Sequence, residues 1–409
     1  MNQKDKNRLL DLAKQQMEIA TGNKMINLKK EWLKHKTFKG ERPMVTVETW
    51  TFASDAVSDM MQCESEEARN WEWQILLNIV NYEHFGDDSV VRDYWPVGNG
   101  IWFKPFNLDP QRTNANEGIG YHFTPVIKDL KDDFHKLAKS SYGADTKGHI
   151  ENAEYINSIF DGILPVKLVY SQMIACLTQN IIHLMDMETM FMSMYDYPEL
   201  FHEMMNNLSD DYVEYFKFLE REGAILSSAS DEGIGQGTYC FTDELPSVKQ
   251  TSFTTKDVWC YCDSQETVGI SADMFNEFFF PYYKKITDHF GLLSYGCCEP
   301  VDVVWDKCLS KMDNLRNVSI SAWCNEEIMG EKLAGKNIMY HRKPSPNFLG
   351  VGNILDEEAL REHIKRTLNA AKGCSVEFTQ RDVYSINKDL NKVKRFVDII
   401  KEEIVNSGF

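Results

Sequence analysis

Basic residues are scarce in this sequence. Its 409 residues include 44 Lys and Arg against 62 Asp and Glu, for a formal charge of −18 at pH 7. So acidic a chain repels polyanions, which excludes general binding of nucleic acid or of anionic membranes unless a local basic cleft overcomes the field. No uninterrupted apolar run reaches the length of a membrane helix, so no membrane association is expected. Met1 to Gln16 is charged and lacks the apolar core of a signal peptide. The expected compartment is the cytoplasm, where the ten cysteines are reduced thiols that are buried, catalytic or metal-bound, disulfides being the weaker reading. Linkers rich in Gly, Ser or Pro, internal repeats and low-complexity stretches are also absent. That points to a helical extension over 1–42 and one domain over 43–409.

What the chain does contain, with 43% hydrophobic residues, is a succession of short β-rich runs. They fall at 44–47, 166–169, 224–228, 258–262, 292–295, 318–322, 338–341 and 375–379, and most end in polar or thiol residues. Helical periodicity lies before and between them. Leu9, Leu12, Ala13, Met17 and Ala20 start an amphipathic helix reaching Trp32, and further helices are expected over 66–82, 356–371 and 387–405. A stripe of aromatics runs over 272–290, where Pro281 should break or kink the helix. Eight strands alternating with helices imply parallel pairing and a (β/α)8 TIM barrel. The long segment 51–165 then reads as an insertion at the barrel mouth, with Gly98-Asn99-Gly100 turning a β-hairpin.

A barrel of this kind places its active site at the C-terminal ends of the strands. There the sequence puts Asp263, Gln265 and Glu266, then Cys297, Cys298 and Glu299, then His341, Arg342 and Lys343, then Arg381 with Cys374 bracketing the last strand. Thiolates and carboxylates can hold zinc. The remaining cysteines read as core packing, and so do the methionines around Met190, which also suggest a soft interface. Gly233 to Gly237 lacks dinucleotide-loop spacing and reads as a flexible loop, and no GxSxG elbow supports a hydrolase. From Pro43 to Ala68 there is no Lys or Arg, while Glu48, Trp50, Phe52, Asp55 and Asp59 make an acidic, aromatic lip suited to a neutral or cationic group.

Three stretches resemble the uroporphyrinogen decarboxylase-like superfamily: 257–266, then Gly269 to Phe278, then Tyr295-Gly296-Cys297-Cys298-Glu299-Pro300. The resemblance covers about the last 200 residues, and more weakly the opening strand and 224–227. It implies a (β/α)8 barrel and either a decarboxylase or a zinc-dependent methyltransferase that works with a corrinoid protein. Decarboxylases of the family carry arginines after the first strand, which are missing here. The methyltransferase branch uses His-x-Cys and a later Cys as zinc ligands. Tyr295-Gly296-Cys297 matches the first with Tyr in place of His, Cys374 matches the second, and Cys298 or Glu299 would complete the set. On this reading Asp263, Glu266 and Tyr295 are catalytic, and Trp50, Gln265, His341, Arg342, Lys343 and Arg381 bind a small-molecule substrate. A corrinoid cofactor comes on a partner protein, and a second copy of the chain is a further candidate partner. Two alternatives stay open: a decarboxylase or lyase holding carboxylates with Arg342, Lys343 and Arg381, and a non-catalytic small-molecule-binding barrel.

Overall fold

The computed structural model describes residues 1–114, 120–246, 250 and 252–409. Two helices open the chain, α1 (Gln3–Thr21) and α2 (Asn23–Lys36), where the sequence suggests one. The break falls at Gly22, whose extended backbone ends α1 and caps α2.

The centre is a parallel sheet. In chain order the wall strands are β1 (Met44–Val47), β2 (Trp95–Gly98), β3 (Val166–Val169), β4 (Trp259–Cys262), β5 (Leu292–Tyr295), β6 (Leu315–Ile320), β7 (Met339–Arg342) and β8 (Ser375–Gln380). Six of them form one sheet in the order β1-β8-β7-β6-β5-β4. All five ladders in it are parallel, and in the outermost Met44 stands opposite Glu377. β2 and β3 pair in parallel as a separate ribbon, with Trp95 opposite Val166. The chain leaving β3 reaches β4 through a single parallel bridge between Ile174 and Tyr261. On the other side, the amide of Asp88 donates to the carbonyl of Val45, 2.7 Å away. The frame is therefore a barrel-like α/β fold, but among the described residues no continuous ladder closes it.

Three expectations are corrected here. The run 224–228 forms no strand: Asn99 Nδ2 takes the carbonyl of Ala224, and the Ser228 hydroxyl accepts the amide of Trp259. The wall strand that sequence reasoning missed is β2, so part of the segment 51–165 belongs to the wall and only the rest can serve as an insertion; its residues 115–119 lie outside the described ones. Gly98-Asn99-Gly100 turns no hairpin, because β2 pairs with β3 while Ile101–Lys104 pairs with Ser141–Ala144.

Elsewhere helices cover the sheet: α3 (Glu66–Val80) on α1, α4 (Pro198–Arg221), α5 (Ala272–Phe278), α6 (Phe280–Thr287), α7 (Glu326–Leu333), α8 (Glu357–Ala370) and α9 (Leu390–Ser407). Pro281 does break the aromatic stripe, and it sits in the first turn of α6, where its missing N–H costs nothing. No helix among the described residues is long and apolar enough to cross a membrane.

Successive residues of a strand point to opposite faces, and this sorts the polar groups. On β7, His341 turns inward, with Nε2 2.8 Å from the Thr379 hydroxyl. Arg342 turns outward to Glu326 of α7, at 2.6 Å. The interior beneath the strand ends is therefore polar. Lys36, the last residue of α2, reaches into it and pairs with Glu377 at 3.0 Å and the Thr238 hydroxyl at 2.6 Å.

Candidate functional site

A cavity of about 530 Å³ opens where β1, β4 and β8 end. Its floor is built by the segment from Gly233 to Tyr239, which is a β-hairpin and not the flexible loop its glycines suggest: Gly233–Gly235 pairs antiparallel with Thr238–Tyr239, and Ile234 is buried. The glycines serve close packing. At Gly237, with φ +81°, a Cβ would stand 2.5 Å from Thr379 Cγ2 and 3.1 Å from Glu48 Cγ.

The cavity wall carries Glu48, Asp263 and Arg381 as its charged groups. Arg381 Nε lies 3.1 Å from Glu48 Oε2 and 3.5 Å from Asp382. The Arg381–Glu48 contact is close enough for an ion pair but not aligned as a hydrogen bond, and Arg381 Nη1 is buried without a partner. Burial pushes the Glu48 carboxyl above its ordinary range, while Arg381 and then Lys343 pull it back. Asp263 accepts the Tyr261 hydroxyl on Oδ2 at 2.7 Å, and its Oδ1 is buried with no partner. The rest of the wall is neutral: the amides of Gln172, Gln179 and Gln236, and the rings of Trp50, Tyr239 and Tyr261.

The structure thus brings Trp50, Asp263 and Arg381 together on one cavity. Lys343 stands just behind, its ammonium donating to Gln236 Oε1 at 2.8 Å and to the Cys297 carbonyl at 3.1 Å. Burial, reinforced by Arg381, lowers its pKa. Other candidates lie apart from the cavity. Glu266 accepts the Thr178 hydroxyl at 2.7 Å, and burial raises its pKa. Gln265 opens the short turn after β4 and is not among the lining residues. Tyr295 is fully buried against the Ser264 hydroxyl, with its phenol pushed well above the usual range by burial. His341 belongs to the interior, where burial holds it well below its ordinary pKa, and Arg342 points away from the cavity.

The four expected metal ligands are not brought together. Cys374 precedes β8 and so stands at the opposite end of the sheet, its thiol 3.4 Å from the Gly330 carbonyl. Both Glu299 oxygens are taken by backbone amides, those of Ser264 at 2.9 Å and Cys297 at 2.8 Å. Cys297 and Cys298 are adjacent, with sulfurs 3.5 Å apart. Among the described residues no three His, Cys, Asp or Glu side chains converge as a metal site. This donor set does not fit a tetrahedral zinc.

Sequence reasoning missed most of the wall. Glu48 appeared only as part of an acidic lip, Gln236 and Tyr261 only inside the runs 233–237 and 257–266 without a role of their own, and Gln172 and Gln179 carried no motif at all. No family model matches the sequence, and no curated protein matches it. Among solved structures, a methyltransferase from Methanosarcina mazei aligns with 92% of this chain and 98% of its own, at 13% identity and a TM-score of 0.52, a likeness of fold.

Proposed function

We propose that the protein is a methyltransferase of the uroporphyrinogen decarboxylase-like type, moving a methyl group between a small molecule in the cleft and a corrinoid presented at its mouth by a partner protein. The observation that carries this reading is Asp263: a buried carboxylate with one oxygen unpaired, at the strand-end cleft of a frame similar to that of a methyltransferase.

A protonated heteroatom that receives a methyl group must lose its proton, and a neutral one that gives up a methyl group must be protonated before or as it leaves, so that a protonated amine departs as the neutral amine. Asp263 Oδ1 is the atom for that proton, with Tyr261 fixing the carboxylate through Oδ2. The Glu48–Arg381 pair nearly cancels itself, and Asp263 is the carboxylate of the wall that no cation pairs within 4.0 Å among the described residues. A donor such as a protonated amine suits it, and the aromatic faces suit methyl groups on a cation. The cavity takes a small molecule. Zinc has no part in this account, because its ligands are not assembled.

A decarboxylase acting on a polycarboxylate finds little support. Arg342 is spent on Glu326, Arg381 stands against Glu48, and Lys343 is tied to Gln236. A non-catalytic barrel would have a cleft filled by large apolar side chains, and this one is open and polar. The test is incubation of the protein with a methylcorrinoid and a set of amine, alcohol and thiol acceptors, read from the corrinoid spectrum, with uroporphyrinogen as the contrast. Demethylation of the corrinoid without uroporphyrinogen turnover is the expected outcome. Uroporphyrinogen turnover at ordinary enzymatic rates would reverse the choice.

A further inference from the structure

The cleft does not end at Trp50. A second cavity of about 310 Å³ shares the walls Trp50, Ser89 and Tyr239 with it. A third, of about 270 Å³, shares Leu77, Asn78 and Arg92 with the second. The three adjoin in a row from the strand ends towards β2, each sharing wall residues with the next, and Arg92 is the one lysine, arginine or carboxylate side chain lining the two outer cavities.

Arg92 is unusual for so acidic a chain. It is half-buried and forms no ion pair within 4.0 Å among the described residues. Its one side-chain hydrogen bond goes to the Asp231 carbonyl, at 3.4 Å. The carboxylates beside it form no ion pair with it, although its charge acts on Glu232. Asp231 pairs with Lys29 at 3.3 Å and accepts the Tyr94 hydroxyl at 2.8 Å, and Glu232 accepts the amide of Ser230 at 3.0 Å. A guanidinium between the two outer cavities, with only Nη2 engaged and that at 3.4 Å, can meet a carboxylate or phosphate oxygen pair.

We infer that the molecule in the cleft is elongated, and that Arg92 binds an anionic group on its tail while the reacting end lies at Asp263. This rests on the cleft being the substrate site of the methyl transfer, and it adds what the substrate must carry. A one-carbon amine would leave the outer cavities empty. A longer amine ending in an acid group would fill them and balance the charge at both ends.

The probe is a series of straight-chain ω-(methylamino)carboxylates of increasing length, each compared with its terminal amide by calorimetric titration of the full chain without corrinoid. Charge-assisted hydrogen bonds of this kind correspond to roughly tenfold or more in affinity. The acids should outbind their amides by that factor at one preferred length, and Arg92→Gln should abolish the difference. Should Arg92→Gln fail to fold, Arg92→Lys decides, since an ammonium cannot reproduce the bidentate fork and must shrink the difference several-fold. Acids and amides behaving alike at every length, including no binding of either, would overturn the inference, as would a difference that survives unchanged in the variants. Only binding is read here, so these outcomes leave the methyl-transfer reading to its own assay.

Discussion

Asp263 binds the Tyr261 hydroxyl through one carboxylate oxygen, 2.7 Å away, and leaves the other buried and unpaired at the cavity wall. A fixed carboxylate with one buried, unpaired oxygen is short of a hydrogen-bond donor. Tyr261→Phe removes the fixing bond and keeps the ring. It should lower kcat by about tenfold with little change in KM, since one positioning hydrogen bond is lost. A steady-state comparison checks this, and a change confined to KM would assign Tyr261 to substrate contact.

The hairpin under the cleft tolerates no side chain at Gly237. Its φ of +81° and the 2.5 Å approach of a Cβ to Thr379 both oppose one. Gly237→Ala should cost about 2 kcal/mol or more in denaturant unfolding. The substitution should also weaken ligand binding, because Glu48 is the other neighbour it would displace.

Lys36 and Glu377 form an ion pair inside the polar interior, both nearly sealed from solvent. Lys36→Met leaves the Glu377 charge without its partner, and about 3–5 kcal/mol of destabilisation is expected. Adding Glu377→Gln should restore much of it. A double variant no better than the single would mean that Lys36 acts mainly through the Thr238 hydroxyl.

Acid should destabilise the fold through His35. Burial, helped by Lys36 and Arg42, lowers its pKa from 6.5 to about 3. Between those values the unfolded chain binds a proton that the folded chain refuses. Stability is therefore fully present above pH 6.5 and is lost as pH falls, by up to about 1.4 kcal/mol per pH unit for one proton. His35→Gln should flatten the slope of unfolding free energy against pH in this window by up to one proton's worth.

Nine of the ten cysteines are buried, and Cys298 is half-buried. The Cys297 thiol donates to it, and this lowers its pKa, with Lys343 and Arg381 adding to the effect against the opposing pull of burial and Asp382. Iodoacetamide under native conditions should label Cys298 first in peptide mapping. Earlier labelling of Cys374 would place that thiol in a more open setting than its contact with Gly330 implies.

Much of the frame was legible because apolar runs closed by polar residues are a local signal. The runs 44–47, 166–169 and 292–295 fall on β1, β3 and β5 to the residue. β2 was not legible, since Pro96 and the following Gly-Asn-Gly look like turn chemistry. In the fold, Asn99 spends its side chain on Ala224 and Ser171, and His149 takes the Gly98 carbonyl. Of the site, Trp50, Asp263 and Arg381 could be found because each follows a strand. The glutamines could not, for an amide becomes part of a site only through where the fold puts it. Cys374 misled for a directional reason: it adjoins β8, but at the end away from the cleft.

The most direct test follows isotopically labelled methyl from a methylcorrinoid into product, with wild type and Asp263→Asn measured side by side. The variant keeps the shape of the carboxylate and an acceptor for Tyr261, so its unfolding midpoint should stay close to wild type, while its affinity for a cationic ligand should fall with the lost charge. Its transfer rate should fall by about a hundredfold or more, as expected for loss of a proton-handling group. Equal rates in the two proteins, or no labelled product from the wild type with any acceptor, would contradict the account.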